Sequence, residues 1–334
     1  MRIGYTFWRE QPVIRQLALM LDELCDFFVV VFPFWTDGLG VKPLKGKPFH
    51  SFGTIFGRIL PVIKELGKPY WLKVQYHPMP GTLPKGAIPA WWPGYVNTRF
   101  PIAFSRMVGA IARGFASVFG RIVGYPPEVV IPGVELARLV NKLEWEWIVE
   151  RIGKRFRTRV IYGCNFWQPI RHRFDWLIEL VYRLGWGPHY IRRIMKGTPY
   201  ENADGKLLAE IAYKAKIKPE TVEALDAIGL SAYFYPSMEK GVDPARVTRD
   251  CRYILRFDYI EASLEWAWKL GKELVITEMG VIYNSPIADD RDAVVEWFVD
   301  SIELWEGAGV RELVIWDEVK PLWVIDALKI WRRK

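Results

Sequence analysis

Eight short apolar runs recur along the chain, and their rhythm constrains the fold more than any other feature. They cover Arg2 to Trp8, Phe27 to Phe34, Tyr70 to Tyr76, Glu128 to Val134, Val160 to Trp167, Ala227 to Tyr235, Leu274 to Glu278 and Leu313 to Trp316. Each is four to nine residues long and rich in Val, Ile, Tyr and Phe, and each is separated from the next by enough chain for a helix. Near-continuous apolar strands are buried on both faces, as in parallel sheets with crossover helices. Eight such units in 334 residues predict an α/β fold, a (β/α)8 TIM barrel forming one domain over residues 1–334. An open doubly wound sheet is the competitor, but no Gly-x-Gly-x-x-Gly follows the first strand.

Helices are expected where a barrel needs them: Pro12 to Cys25, Ile55 to Leu66 closed by Gly67 with Pro61 kinking or breaking it, Leu136 to Phe156, Arg246 to Leu270, Asp290 to Trp305 and Leu322 to Trp331. Two connections exceed that need. One is the Pro- and Gly-rich loop from His77 to Val96 after strand three, with Trp91 and Trp92. The other is a helical, cap-like insertion over 168–223 after strand five, carrying Trp176, Trp186, His189 and Tyr190. Both follow strands and so belong to the C-terminal face, where barrel enzymes build their sites.

Two glutamates stand out because a carboxylate ending a buried strand is expensive unless it has a task. Glu135 closes Ile131-Pro-Gly-Val-Glu135, and Glu278 lies in Val275-Ile-Thr-Glu278-Met-Gly280. Paired carboxyls across a barrel mouth suit glycoside cleavage: one protonates the leaving oxygen and the other attacks the anomeric carbon. A separation of roughly 5 to 5.5 Å gives retention through a glycosyl-enzyme.

The segments Phe32-Pro-Phe34, Gly133-Val-Glu135-Leu136, Gly229-Leu-Ser-Ala-Tyr-Phe-Tyr-Pro236 and Ile276-Thr-Glu-Met-Gly280 resemble retaining barrel glycoside hydrolases with glutamates ending strands four and seven. Within that clan the chain most resembles glycoside hydrolase family 113, chiefly β-mannanases. The resemblance implies Glu135 as acid/base, Glu278 as nucleophile, and Trp316 as the floor of the subsite where the bond breaks. Tyr233, ending strand six, is placed to donate a hydrogen bond to Glu278. The implied activity is a retaining hydrolase of β-linked glycosides, mannan-like polysaccharide or oligosaccharide, acting by double displacement.

Seventeen tryptophans support a carbohydrate substrate, since indoles pack on the C–H faces of sugars. Trp8, Trp35, Trp167 and Trp316 sit at strand ends, whereas helix-borne Trp145, Trp147, Trp266, Trp268, Trp297 and Trp305 read as core or helix packing. His77 and Asn165 are candidate binders of sugar hydroxyls. Asp37, Asp317 and Glu318 are top-face carboxylates that bind hydroxyls, replace Glu135 or pair with bases. Val134 stands where much of the clan has Asn, which motivates the alternative of a catalytically inactive carbohydrate-binding barrel.

A net charge of +8 raises a phosphosugar or nucleic-acid partner. The basic clusters are interleaved with acids on helix faces, however, and the segments after strands seven and eight lack the glycines of a phosphate cradle, so no nucleic-acid partner is expected. Histidine spacing gives no metal site, and no cofactor is expected. Cys25, Cys164 and Cys251 read as core thiols. With no signal-like leader and no apolar run near the length of a membrane span, a cytoplasmic protein with no membrane contact is expected. Only four Gln and five Asn beside many Lys, Arg and Glu suggest a thermophilic source. Oligomeric state, sugar identity and endo or exo action are not encoded legibly.

Overall fold

Eight parallel strands pair edge to edge into a closed ring: β1 (Arg2–Phe7), β2 (Phe27–Thr36), β3 (Tyr70–Pro78), β4 (Val129–Ile131), β5 (Arg159–Cys164), β6 (Ala227–Ser231), β7 (Glu273–Met279) and β8 (Glu312–Ile315). Each pairs with its sequence neighbours, and β8 pairs with β1 to close the barrel. This computed structural model describes residues 1–9, 13–44, 49–79, 82, 93–164, 167–173, 175–186, 205–232, 250–251, 255–256, 259–281, 287–316 and 319–334. The expected fold class is therefore the observed one. A short strand, Val41–Pro43, adds antiparallel to the end of β2.

Strand alternation sorts the apolar residues into two layers. One set fills the barrel interior: Phe27, Val29, Trp71, Val129, Ile131, Val134, Ile161, Ala227, Val275 and Val314. Phe27 stacks on Trp71 with ring centroids 4.2 Å apart. Gly4 makes room for that pair, since a Cβ there would lie 2.2 Å from the Phe27 ring. The alternate residues, such as Ile3, Tyr5, Leu72, Val74, Ile276 and Leu313, pack outward under the helices. Each such side chain contributes roughly 1.5–3 kcal/mol by leaving water.

Below the inner layer, charged strand starts close the barrel. Arg2 pairs with Glu128 at 2.7 Å and Glu312 at 2.8 Å, and Arg159 pairs with Glu312 at 2.7 Å and Glu273 at 3.0 Å. Burial opposes ionisation of Glu128, but Arg2, the Trp71 indole and Arg159 outweigh it and hold its carboxyl below the usual range.

The helices differ from the sequence expectation in four places. First, Pro61 does not break its helix. Phe52–Thr54 and Leu60–Leu66 are joined by a π-helical turn, Ile55–Ile59, so the proline falls in the first turn of the following α segment, where its missing N–H matters least. Gly67 ends it with φ 63°, as expected of a C′ glycine. Second, residues 136–144 are turns with a 3-10 segment, Val140–Lys142, and helix begins only at Trp145–Phe156. Third, residues 250–256 include a small antiparallel ribbon, Asp250–Cys251 with Leu255–Arg256, ahead of the helix Tyr259–Lys269. Fourth, the β3–β4 crossover is a 23-residue helix, Pro101–Val123, absent from the sequence expectation. By length and composition it passes as a membrane span, unlike any run noted in the sequence. Phe104, Val108, Ala112, Ala116 and Phe119 nonetheless bury one face of it in the outer core of the barrel.

Helices Trp167–Arg173, Asp175–Arg183, Gly205–Lys214 and Pro219–Val222 occupy the insertion after β5. They are tied to the segment following Glu135 by Arg138–Glu210 at 2.9 Å and by Asn141, which accepts from the Thr221 hydroxyl and the Lys218 N–H. Trp145, Trp266, Trp297 and Trp305 are buried as expected, and Trp147 is half-buried. Trp268 is corrected: it is 79% exposed, on the outer face of its helix. Cys25 and Cys164 are buried free thiols, while the side chain of Cys251 lies outside the described set.

Candidate active site

Glu278 reaches the barrel interior through an irregularity in β7. Val275 points inward and Ile276 outward, and Thr277 points inward again, against Gly163 and Gly229. Strict alternation would then send Glu278 outward. Instead the register of β7 shifts against both neighbours at this point, Ile276 pairing with Leu230 but Glu278 with Ser231. This bulge puts two consecutive side chains on the inner face and aims the carboxylate at the axis, a recurrent use of bulges beside functional sites. Gly229 accommodates it, because a Cβ there would lie 2.3 Å from the Thr277 methyl.

The carboxylate is 4% exposed and surrounded by donors. Lys73 forms an ion pair with its Oε1, Gln75 Nε2 donates to the same oxygen at 3.2 Å, and the Ser231 hydroxyl donates to Oε2 at 3.4 Å. Lys73 is wholly buried, and its Nζ lies 4.7 Å from the centroid of the Trp316 ring. Burial pulls the Lys73 pKa below the usual lysine range, against the opposing charge and hydrogen bond of Glu278 and the charge of Glu135. An ion pair this deep is costly to desolvate and costlier still to break, roughly 3–5 kcal/mol when one partner is removed.

Lys73, Gln75 and His77 are alternate residues of β3 and so share its inward face. Sequence reading picked out only His77. The signal for the other two was present, as polar residues at a period of two inside an otherwise apolar strand. His77 is 1% exposed and lies between Trp35 and Phe49, with ring centroids 6.1 and 5.1 Å away.

Glu135 arrives differently. Val134 bridges to Gly163 across β5 and packs into the inner core, and the Glu135 N–H donates to the Gly163 carbonyl at 2.7 Å. Glu135 itself has φ 52°, in the left-handed region that non-glycine residues adopt only at a cost. Strain of this kind gathers at functional positions, where the surrounding structure enforces it. The charge of the half-buried Glu135 adds to that of the buried Glu278 in favouring the protonated form of Lys73.

Aromatic rings line the same end of the barrel. Trp8 stacks on Trp316 with centroids 4.8 Å apart, and Phe49 meets Trp8 edge-on at 5.7 Å. Trp8 and Trp316 are nearly buried, and Trp35 at the edge of this cluster is half-buried. The top-face Asp37 is exposed and engaged in a turn, accepting from the Leu39 and Gly40 N–H groups at 2.8 Å each. The Gly40 bond, then that of Leu39, holds its carboxyl below the usual range. Tyr233, Trp91, Trp92, Asn165, Asp317 and Glu318 lie outside the described residues, as does the side chain of Trp167. Among the described residues no cluster of three or more His, Cys, Asp or Glu could hold a metal ion.

No family model matches the chain, and no curated protein matches its sequence. Solved structures do match its fold. The GH113 β-mannanase AaManA from Alicyclobacillus acidocaldarius, solved in complex with ManMIm, aligns with a TM-score of 0.60 at 13% identity, over 99% of this chain and 96% of its own. A GH113 β-1,4-mannanase solved as a complex aligns with a TM-score of 0.58 at 13% identity, over 100% and 98% of the two chains. A further GH113 β-1,4-mannanase structure aligns at 0.56 and 13%, over 95% and 88%. The chain thus shares the (β/α)8 barrel fold of these structures over nearly its whole length.

Proposed function

We propose that the protein is a retaining glycoside hydrolase acting on β-linked, mannan-like chains or oligosaccharides, with Glu278 as nucleophile and Glu135 as acid/base. The observation that carries this reading is the setting of Glu278: a buried carboxylate, aimed inward by a bulge and held by Lys73, Gln75 and Ser231 at the aromatic end of the barrel. Fixed donors hold such a carboxylate pointed at a reacting carbon.

In the first step an oxygen of Glu278 bonds to the anomeric carbon while the glycosidic C–O bond breaks, and the Glu135 proton passes to the leaving oxygen. Water then attacks the same carbon, Glu135 takes a proton from it, and Glu278 leaves as a carboxylate. Lys73 gives this cycle a fixed counter-charge. Glu278 loses its negative charge on forming the ester in the same step that Glu135 gains one, so the buried ammonium keeps a carboxylate in its field in either state.

The test is hydrolysis of β-1,4-manno-oligosaccharides and aryl β-glycosides by the purified protein, with the first-formed anomer read by NMR. A β product supports the reading, and an α product excludes the retaining mechanism. Binding of these sugars without turnover would favour the carbohydrate-binding barrel.

A further inference from the structure

We propose that Gln75 is the receptor for the hydroxyl on the sugar carbon next to the anomeric centre, with its amide nitrogen held on Glu278 and its carbonyl oxygen accepting from that hydroxyl. The proposal rests on the glycoside reading of the site and deepens it, since it makes a free 2-hydroxyl the mark of the substrate class.

Gln75 is 4% exposed, and its Oε1 has no hydrogen-bond partner among the described residues. A buried carbonyl oxygen without a donor costs about 1–3 kcal/mol, so one retained beside a charged carboxylate is a place for a ligand's donor. The orientation of the amide follows from its neighbour. An ionised carboxylate only accepts, so the side of Gln75 that meets Glu278 Oε1 at 3.2 Å is the NH2 group, and the carbonyl oxygen faces elsewhere.

The location identifies the hydroxyl. When an oxygen of Glu278 bonds to the anomeric carbon, the adjacent carbon and its hydroxyl come next to that carboxylate, and Gln75 is already hydrogen-bonded to it. Bonds to this hydroxyl strengthen as the transition state forms, so an acceptor here serves catalysis as well as binding. Lys73, the nearest alternative, presents only donors and is committed to Glu278. On the Glu135 side, residue 134 is Val, 1% exposed and packed against Gly163, and offers no polar group.

The test measures binding, so it does not depend on turnover. Two iminosugars, with and without the hydroxyl next to the pseudo-anomeric position, are titrated calorimetrically into wild type, Gln75→Met and Gln75→Asn. Wild type should prefer the hydroxylated compound by about tenfold to a hundredfold, the range expected of one buried hydrogen bond. Gln75→Met should bind both within about twofold of each other. If that variant fails to fold, Gln75→Asn, which withdraws the amide by one methylene, should still lose most of the preference. An unchanged preference in the folded variants, equal binding of both compounds by wild type, or no binding of either overturns the proposal. Hydrolysis is assayed alongside: a preference that depends on Gln75 in a protein that cleaves no glycoside would uphold the recognition and reject the hydrolase reading alone.

Discussion

Lys73 and Glu278 form an ion pair inside the barrel, the lysine wholly buried and the glutamate nearly so. Two opposite charges in so apolar a place are a poor means of stabilising a fold, because packed hydrocarbon would do as well or better. Such a pair suits a carboxylate that is held in one aim.

Lys73 should therefore control the alkaline side of the activity profile. Its folded pKa is lowered by burial, so the ammonium is lost at a pH below the usual lysine range, and kcat should fall through that pH. In Lys73→Arg, whose guanidinium does not titrate there, the alkaline limb should disappear while some activity remains. Lys73→Met should lose activity at every pH, by about a hundredfold or more in kcat. An alkaline limb unchanged in Lys73→Arg would assign it to another group. The same shift has a stability consequence of definite sign. The unfolded chain binds the proton more tightly, so the penalty of burying charged Lys73 fades as pH rises from the folded pKa to the unfolded one.

The two glutamates should fail differently. Glu278→Ala should abolish turnover of all glycosides. Glu135→Ala should lose about 10²–10⁴ in rate on substrates with poor leaving groups and much less on activated aryl glycosides, with azide restoring rate. Equal losses on both substrate types, without azide rescue, would remove Glu135 from the acid/base role.

Much of the fold was readable from the sequence because its strands are buried on both faces and leave continuous apolar runs, from Phe27 to Phe34 for example. The aim of Glu278 was not. A period-two reading of Val275 to Glu278 points that side chain outward, and only the register shift beside Ser231 reverses it. Lys73 and Gln75 are not marked by a strand end as the two glutamates are, because Lys73 sits in mid-strand with Trp71 just below it. The long helix Pro101–Val123 carries three glycines, Gly109, Gly114 and Gly120, which lower its intrinsic helix propensity. Gly109 in fact makes room for Trp147, 2.5 Å from where its Cβ would lie.

The bulge can be tested through its packing. Gly229→Ala would place a methyl 2.3 Å from the Thr277 methyl and should cost about 1–3 kcal/mol of stability while lowering kcat through misaim of Glu278. Thr277→Ser removes the clashing methyl and should restore part of both losses in the double variant. Additive losses in a thermodynamic cycle would show that the two positions do not communicate.

At the opposite end of the barrel, Glu312 bridges Arg2 and Arg159. Glu312→Gln should destabilise the protein by about 1–3 kcal/mol, a figure reduced for the partial exposure of both arginines, and leave kcat unchanged. The neighbouring Glu128 has a lowered folded pKa, so its contribution is present above the unfolded value and lost as pH falls through the folded one. Thermal unfolding of wild type and Glu128→Gln should accordingly converge in acid. A gap that stays constant to low pH would contradict this.

Attack of Glu278 on the anomeric carbon leaves a covalent trace that can be captured. A 2-deoxy-2-fluoro-β-mannosyl fluoride slows both steps and has a leaving group that needs no acid, so the glycosyl-enzyme accumulates. Peptide mass spectrometry after digestion should find one fluorosugar per chain, on the peptide Glu273–Met279 at Glu278, and none on Glu278→Ala. Stoichiometric labelling of a different carboxylate, or hydrolysis of the fluoride with no label in wild type, would contradict it.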